Sequence, residues 1–227
     1  MRMIETPSPN FGDRRGGDAV TMLVIHYTGM RSAAESLARL CDPAAEVSAH
    51  YLITEDGDVH RLVAEEKRAW HAGLGQWQGD RDVNSRSIGI ELQNLGHEFG
   101  YQPFPAAQID SLIDLALGIL DRHAIPASGI VGHSDIAPDR KLDPGELFPW
   151  PVLAAAGIGV FPEAGIDTEE DLESLLTRIG YDPMAQNRIS AFLRRFRPDR
   201  IDGQPDIECQ RLAAAYLAAN NHQEEPI

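Results

Sequence analysis

Apolar and polar positions fall into blocks along this chain, and the blocks predict strands interleaved with helices. Met22-Leu23-Val24-Ile25 is a continuous apolar run ended by His26-Tyr27-Thr28-Gly29. It reads as a buried strand over residues 21–27 stopped by a turn. Residues 31–41 repeat Ala34, Leu37, Ala38 and Leu40 at mostly helical spacing, with Ser32 placed as the cap. Residues 47–53 and 59–63 flank Glu55-Asp56-Gly57-Asp58, the pattern of a hairpin. Residues 64–86 read as polar loop punctuated by Trp70, His71 and Trp77. Residues 86–92, RSIGIEL, form another strand, with Ile88 and Ile90 on one face and Ser87, Gly89 and Glu91 on the other. Residues 105–123 carry a wide apolar stripe from Ile109 to Leu120 and predict the clearest helix.

A short strand end at Ile130-Val131 leads into GHSDIAPDRKLDPGELFPW, residues 132–150. Pro138, Pro144 and Pro149 forbid a continuous helix there. The segment reads as a loop that folds back over His133 and carries Lys141 and Asp143. From Thr168 the pattern changes to three short helices. The first holds Leu172, Leu175, Leu176 and Ile179, capped by Thr168 and stopped at Gly180; the others cover residues 184–196 and 207–219. The expected division is therefore 1–160 and 161–227, with residues 1–20 an extended lead-in.

Composition narrows the classes. The chain has 227 residues, 43% hydrophobic and 24% charged, enough for one full domain and a small one. Its formal net charge of −15 argues against nucleic acid, where cationic side chains must neutralise phosphates. An acidic ligand would need a local basic site. No apolar run reaches the length of a membrane helix, and the first residues hold no apolar secretory core, so the expected location is cytoplasmic. Cys41 and Cys209 lack metal-ligand spacing and are expected to be buried free thiols.

The candidate chemistry sits at strand ends. His133 and Asp143 suit a metal, and His26, at the end of its own strand, is the best third ligand. Two neutral imidazoles and one carboxylate with an open fourth position make a catalytic zinc set. Asp135 is the rival carboxylate. Glu91, a carboxylate on an apolar strand, is the candidate base. Lys141 is the candidate oxyanion partner, since it lies two residues before Asp143 and points the same way in an extended segment. His50 alternates with Tyr51 and could face the site. Arg86 and Arg140 suit a peptide carboxylate, as a planar guanidinium binds it with two parallel hydrogen bonds.

HYTG near the start, SIGIEL in the middle and GHSDIAPDRKLDPG later together resemble the zinc-dependent N-acetylmuramoyl-L-alanine amidases of the AmpD/AmiD-like type. These are similar in fold to phage lysozyme-type amidases and peptidoglycan recognition proteins. The resemblance covers roughly residues 20–155 and implies an α/β fold with a central mixed β-sheet flanked by helices. It places the third ligand at Asp143, and gives Glu91 and Lys141 the catalytic roles above. Trp70, His71 and Asn84 resemble positions lining the substrate groove. The last fifty or so residues, with RIGYD and FLRRFRP between helices, resemble a small helical peptidoglycan-binding-like module. The resemblance implies one Zn²⁺ per chain in a monomeric enzyme that cuts the amide between N-acetylmuramic acid, or its 1,6-anhydro form, and L-alanine. Its partners are peptidoglycan fragments or muropeptides, in cell-wall turnover or recycling. The alternative is a non-catalytic peptidoglycan-recognition module using the same groove. No HExxH is present to suggest a peptidase.

Overall fold

A computed structural model describes residues 2–17 and 19–223. In chain order the strands are β1 (Arg2–Glu5), β2 (Phe11–Asp13), β3 (Met22–Tyr27), β4 (Tyr51–Ile53), β5 (Asp58–Arg61), β6 (Lys67–Ala69), β7 (Ser87–Leu92) and β8 (Ile130–Gly132). The helices are α1 (Ala33–Leu40), α2 (Val83–Arg86), α3 (Gly96–Phe99), α4 (Ala106–Arg122), α5 (His133–Ile136), α6 (Trp150–Ala155), α7 (Leu172–Ile179), α8 (Arg188–Phe196) and α9 (Ile207–Gln223). The main sheet runs β1-β5-β4-β7-β3-β8, and β2 pairs with β6 apart from it. It is mixed: β3 lies parallel to β7 and β8, and β4 antiparallel to β5.

Strand alternation sorts β3 between two apolar clusters. Leu23 and Ile25 join Ile88, Ile90 and the stripe of α4; Met22 and Val24 join Val131, Trp77 and the inner faces of α7, α8 and α9. Leu112 of α4 is fully buried, so truncating it to alanine costs about 2–5 kcal/mol. The face that carries Met22 and Val24 continues into His26, and the face that carries Ser87 and Gly89 continues into Glu91. In register His26 stands opposite Glu91. The carboxyl ends of three parallel strands thus deliver His26, Glu91 and, immediately after β8, His133 to one edge of the sheet.

Several expectations change. Residues 1–20 are more than a lead-in: β1 pairs parallel with β5, and β2 pairs with β6. The stretch 64–86 is not all loop, since it holds β6 and α2. The strand expected over 47–53 is confined to its last three residues. His133 does not stay extended; it opens the single turn α5, ended where Pro138 forbids more helix. The cap of α7 is Asp171, whose Oδ1 accepts from Ser174 N at 2.9 Å, while Thr168 Oγ1 only serves Glu170 N. The helix expected from 184 begins at Arg188. Cys41 is half-buried rather than buried; both thiols are free. The C-terminal helices close no core of their own, because their apolar residues share one cluster with β3 and β8.

Candidate metal centre

Three buried side chains converge at the sheet edge. His26 Nδ1 lies 2.9 Å from His133 Nδ1 and 3.1 Å from Asp143 Oδ2, and His133 Nδ1 lies 3.0 Å from the same oxygen. Ligand atoms about 2.1 Å from a tetrahedral ion stand roughly 3.4 Å apart, so a small relaxation seats one. Asp143 is placed by its backbone, since its carbonyl accepts from Ser134 N at 2.8 Å. Gly132 allows the fold-back: a β-carbon there would stand 2.6 Å from Pro144 Cδ.

The hydrogen bonds behind the imidazoles set their tautomers. Ser87 Oγ donates to Val83 O at 2.6 Å and so accepts from His71 Nε2 at 3.2 Å. That leaves His71 Nδ1 to accept from His26 Nε2 at 3.0 Å, and the Nδ1 lone pair of His26 faces the cluster. His133 Nε2 donates to Ala72 O at 2.9 Å, which frees its Nδ1 likewise. Such outer partners hold a metal-binding ring in one orientation. Gly89 makes room for the relay, as a β-carbon there would meet the His71 ring at 2.4 Å.

Electrostatics favour a cation. Burial, with the neighbouring His133, pushes His26 down to about 4, so it is neutral at pH 7. His71 lies well below the ordinary imidazole value, chiefly through burial and then through His26. Burial would raise the Asp143 carboxyl, but His133 and His26 outweigh it and hold it well below the usual carboxylate range. Glu91 is pushed up to about 8 by burial and by the Asp143 charge, against the opposing pull of Lys141. Its Oε2 is buried with no hydrogen-bond partner. Two neutral imidazoles, one carboxylate and a second, uncompensated carboxyl beside them are a donor set that a divalent ion fits.

The cleft over this cluster has a volume of about 470 Å³. Trp70, His71, Glu91, Arg140 and Lys141 line it, as do His133 and Asp143. His50, Asn84 and Arg86 do not line it. His50 is fully buried behind β7, accepting from Gly89 N at 3.0 Å and donating to Lys67 O at 3.0 Å. Asn84 Oδ1 accepts from His71 N and Ala72 N, so it holds the loop that carries His71. Arg86 is engaged by Asp80 and Thr21. Arg140 lines the cleft while donating to Ala72 O and Leu74 O, and His71 reaches it chiefly as the support of His26. The rival ligand Asp135 faces away. Its Oδ2 accepts from Gly132 N and Arg195, and its Oδ1 from Tyr181, so it is buried rather than the surface or turn residue its sequence context suggests.

Sequence reasoning missed the rim. His97 bridges Tyr27 Oη at 2.8 Å and the Glu146 carboxylate at 3.1 Å. Its place just after the Glu91 strand was the available signal. Ser87 was visible only as the small residue sharing a face with Glu91.

Residues 16–146 match the family model described as N-acetylmuramoyl-L-alanine amidase. The N-acetylmuramoyl-L-alanine amidase AmiD of Escherichia coli K12 is 42% identical over 87% of this chain and 82% of its own length. The 1,6-anhydro-N-acetylmuramyl-L-alanine amidase AmpD of the same organism is 35% identical over 63% of this chain and 86% of its own. Among solved structures, E. coli AmiD in complex with anhydro-N-acetylmuramic acid-L-Ala-D-γ-Glu-L-Lys superposes with a TM-score of 0.79 at 36% identity, covering 95% of this chain and 99% of that one. AmpDh3 from Pseudomonas aeruginosa gives 0.82 at 33% identity, over 91% and 94%.

Proposed function

The chain belongs to the N-acetylmuramoyl-L-alanine amidase family, and on that premise we propose how its own residues carry out the reaction. The enzyme hydrolyses the amide between N-acetylmuramic acid, or its 1,6-anhydro form, and the L-alanine that begins the stem peptide. His26, His133 and Asp143 would hold one zinc ion. When bound there, zinc supplies Lewis acidity toward the scissile carbonyl and acidifies water at neutral pH.

Glu91, which lines the cleft, accepts the proton of the attacking water and hands it to the alanine nitrogen as the C–N bond breaks. Lys141, which lines the cleft with Asp143, donates to the oxygen that gains charge in the tetrahedral intermediate. Trp70 offers an apolar face to the substrate. The stem peptide's free carboxylates distinguish it from the sugar, whose lactyl carboxyl is consumed in the amide. The observation that carries this reading is the convergence of His26 Nδ1, His133 Nδ1 and Asp143 Oδ2 within about 3 Å of one another beside an unpartnered Glu91 oxygen.

Glu91→Gln tests the assignment of the base. The expected result is a loss of about 10²–10⁴ in kcat with zinc per chain unchanged, read by product release and elemental analysis. Near-wild-type turnover would remove Glu91 from this role. A cytoplasmic location is part of this proposal, and a fractionation of cells checks it. The proposed peptidoglycan-binding-like part, 161–227, whose helices α7, α8 and α9 share an apolar cluster with β3 and β8, would contact wall polymer in a monomeric enzyme, and sedimentation with intact peptidoglycan measures that contact.

A further inference from the structure

A second pocket opens beside the cleft. Arg140, Lys141 and Leu142 line both it and the metal-centre cleft, and its volume is about 330 Å³. Its other wall is α8: Asn187, the residue before the helix, and Ser190 and Arg194, four residues apart on one helix face, line it. Three cations therefore border a single small pocket in a chain whose net charge is −15.

Few carboxylates face those cations within the pocket. Among the described residues that line the pocket only Asp139 is a carboxylate, and its oxygens already accept from Gln186 N at 3.1 Å and Asn187 N at 2.7 Å. Arg194 Nε is buried without a hydrogen bond. Glu146 Oε2 stands 3.8 Å away, beyond hydrogen-bond reach, and is shared with His97. Among the described residues Arg140 donates to carbonyl oxygens, those of Ala72 and Leu74, rather than to a carboxylate. The rest of the half-buried Arg194 guanidinium borders the pocket, and an anion entering it would supply a charge-assisted acceptor.

We propose that this pocket is a carboxylate subsite for the stem peptide, with Arg194 as its principal donor and Ser190 as a second. The proposal rests on the amidase reading for its ligand. With the scissile amide over the metal centre, the peptide arm passes Lys141 and sets a free carboxylate against the Arg194 guanidinium. The glycan arm brings no carboxylate, so the charge assigns the pocket to the peptide side. The subsite lies between the motif loop and α8, and it makes the C-terminal helices part of substrate selection.

The test uses the full zinc-loaded chain and four matched anhydro-muropeptides ending in L-Ala-D-γ-Glu-L-Lys. One has both carboxylates free, one has only the glutamate α-carboxylate amidated, one only the terminal carboxylate, and one both. Wild type is expected to show kcat/KM about tenfold lower, carried by KM, when the carboxylate that seats in the pocket is amidated. The two singly amidated substrates tell which one it is. In Arg194→Gln that preference collapses toward unity, and Arg194→Lys restores part of it. Ser190→Asp, which adds a negative charge to the same helix face, collapses it independently should Arg194→Gln fold poorly. An unchanged preference in the variants, or wild type indifferent to amidation, overturns the subsite. Binding of the free tripeptide, measured by calorimetry, separates the two readings. A tripeptide that binds wild type about tenfold tighter than Arg194→Gln upholds the subsite even where no cleavage occurs. Equal binding refutes it whatever the turnover.

Discussion

Arg195 Nη1 donates to Asp135 Oδ2 at 3.1 Å, and the same carboxylate oxygen accepts from Gly132 N at 2.8 Å. This pair joins a C-terminal helix to the turn that carries His133. Arg195 also donates to Ile130 O and stacks over Trp150, with its guanidinium carbon 4.0 Å from the ring centroid. Tyr181 closes the other carboxylate oxygen at 2.7 Å. The pair is nearly inaccessible, Asp135 at 1% exposure and Arg195 at 5%.

Removing one partner strands the other. Arg195→Ala is expected to destabilise the fold by about 3–5 kcal/mol, the loss that follows when a buried charge is left unpaired. Zinc affinity should fall with it, because Asp135 fixes the backbone one residue before His133. Urea unfolding and a chelator competition measure the two effects. Wild-type stability in the variant would show that the contact holds nothing together.

The relay behind His26 makes a separate prediction. His71→Ala removes the acceptor for His26 Nε2 and frees the ring to turn, which is expected to weaken zinc binding about 10–100-fold. Ser87→Ala, one bond further out, should cost less. Competition against a chelator of known affinity gives both values. An equal or larger loss in Ser87→Ala would contradict the order of the relay.

Stability should fall in acid through His50. Burial, the main cause, lowers this imidazole to about 3, from an ordinary value of 6.5. Between those values the unfolded chain binds a proton that the folded chain refuses. The stabilisation is therefore complete above about pH 6.5 and is lost as pH falls toward 3, by up to about 1.4 kcal/mol per pH unit. The urea midpoint measured from pH 7.5 to 4.5 with chelator present should drop less steeply in His50→Gln than in wild type. Parallel curves would mean that His50 is not buried neutral.

Much of this was readable where a local pattern carried it. β3, the β4–β5 hairpin, β7 and α4 follow from apolar runs and periodicity that burial enforces. His26 and His133 were legible as candidates because apolar runs end on them; Asp143 was set apart from Asp135 by the resemblance to the amidases. The rest depended on distant partners. β1 is an edge strand of largely exposed residues, and only its pairing with β5 makes it a strand. Asp135 reads as a turn residue until Arg195 and Tyr181 are brought against it from far along the chain. His50 alternates correctly for a site residue, but Gly89 and Lys67 claim both of its nitrogens. No local signal announces that the apolar faces of the three terminal helices meet Met22, Val24 and Val131.

Zinc-dependent cleavage through His26, His133 and Asp143 is tested by product analysis on an anhydro-muropeptide. Mass spectrometry would compare wild type and His133→Ala, each with and without chelator. The expected result is release of the intact stem peptide by wild type alone, abolished by chelator and restored by added zinc, with about one zinc per chain lost in His133→Ala. Release of stem peptide by a wild-type protein free of metal, or undiminished release by His133→Ala, would contradict the assignment.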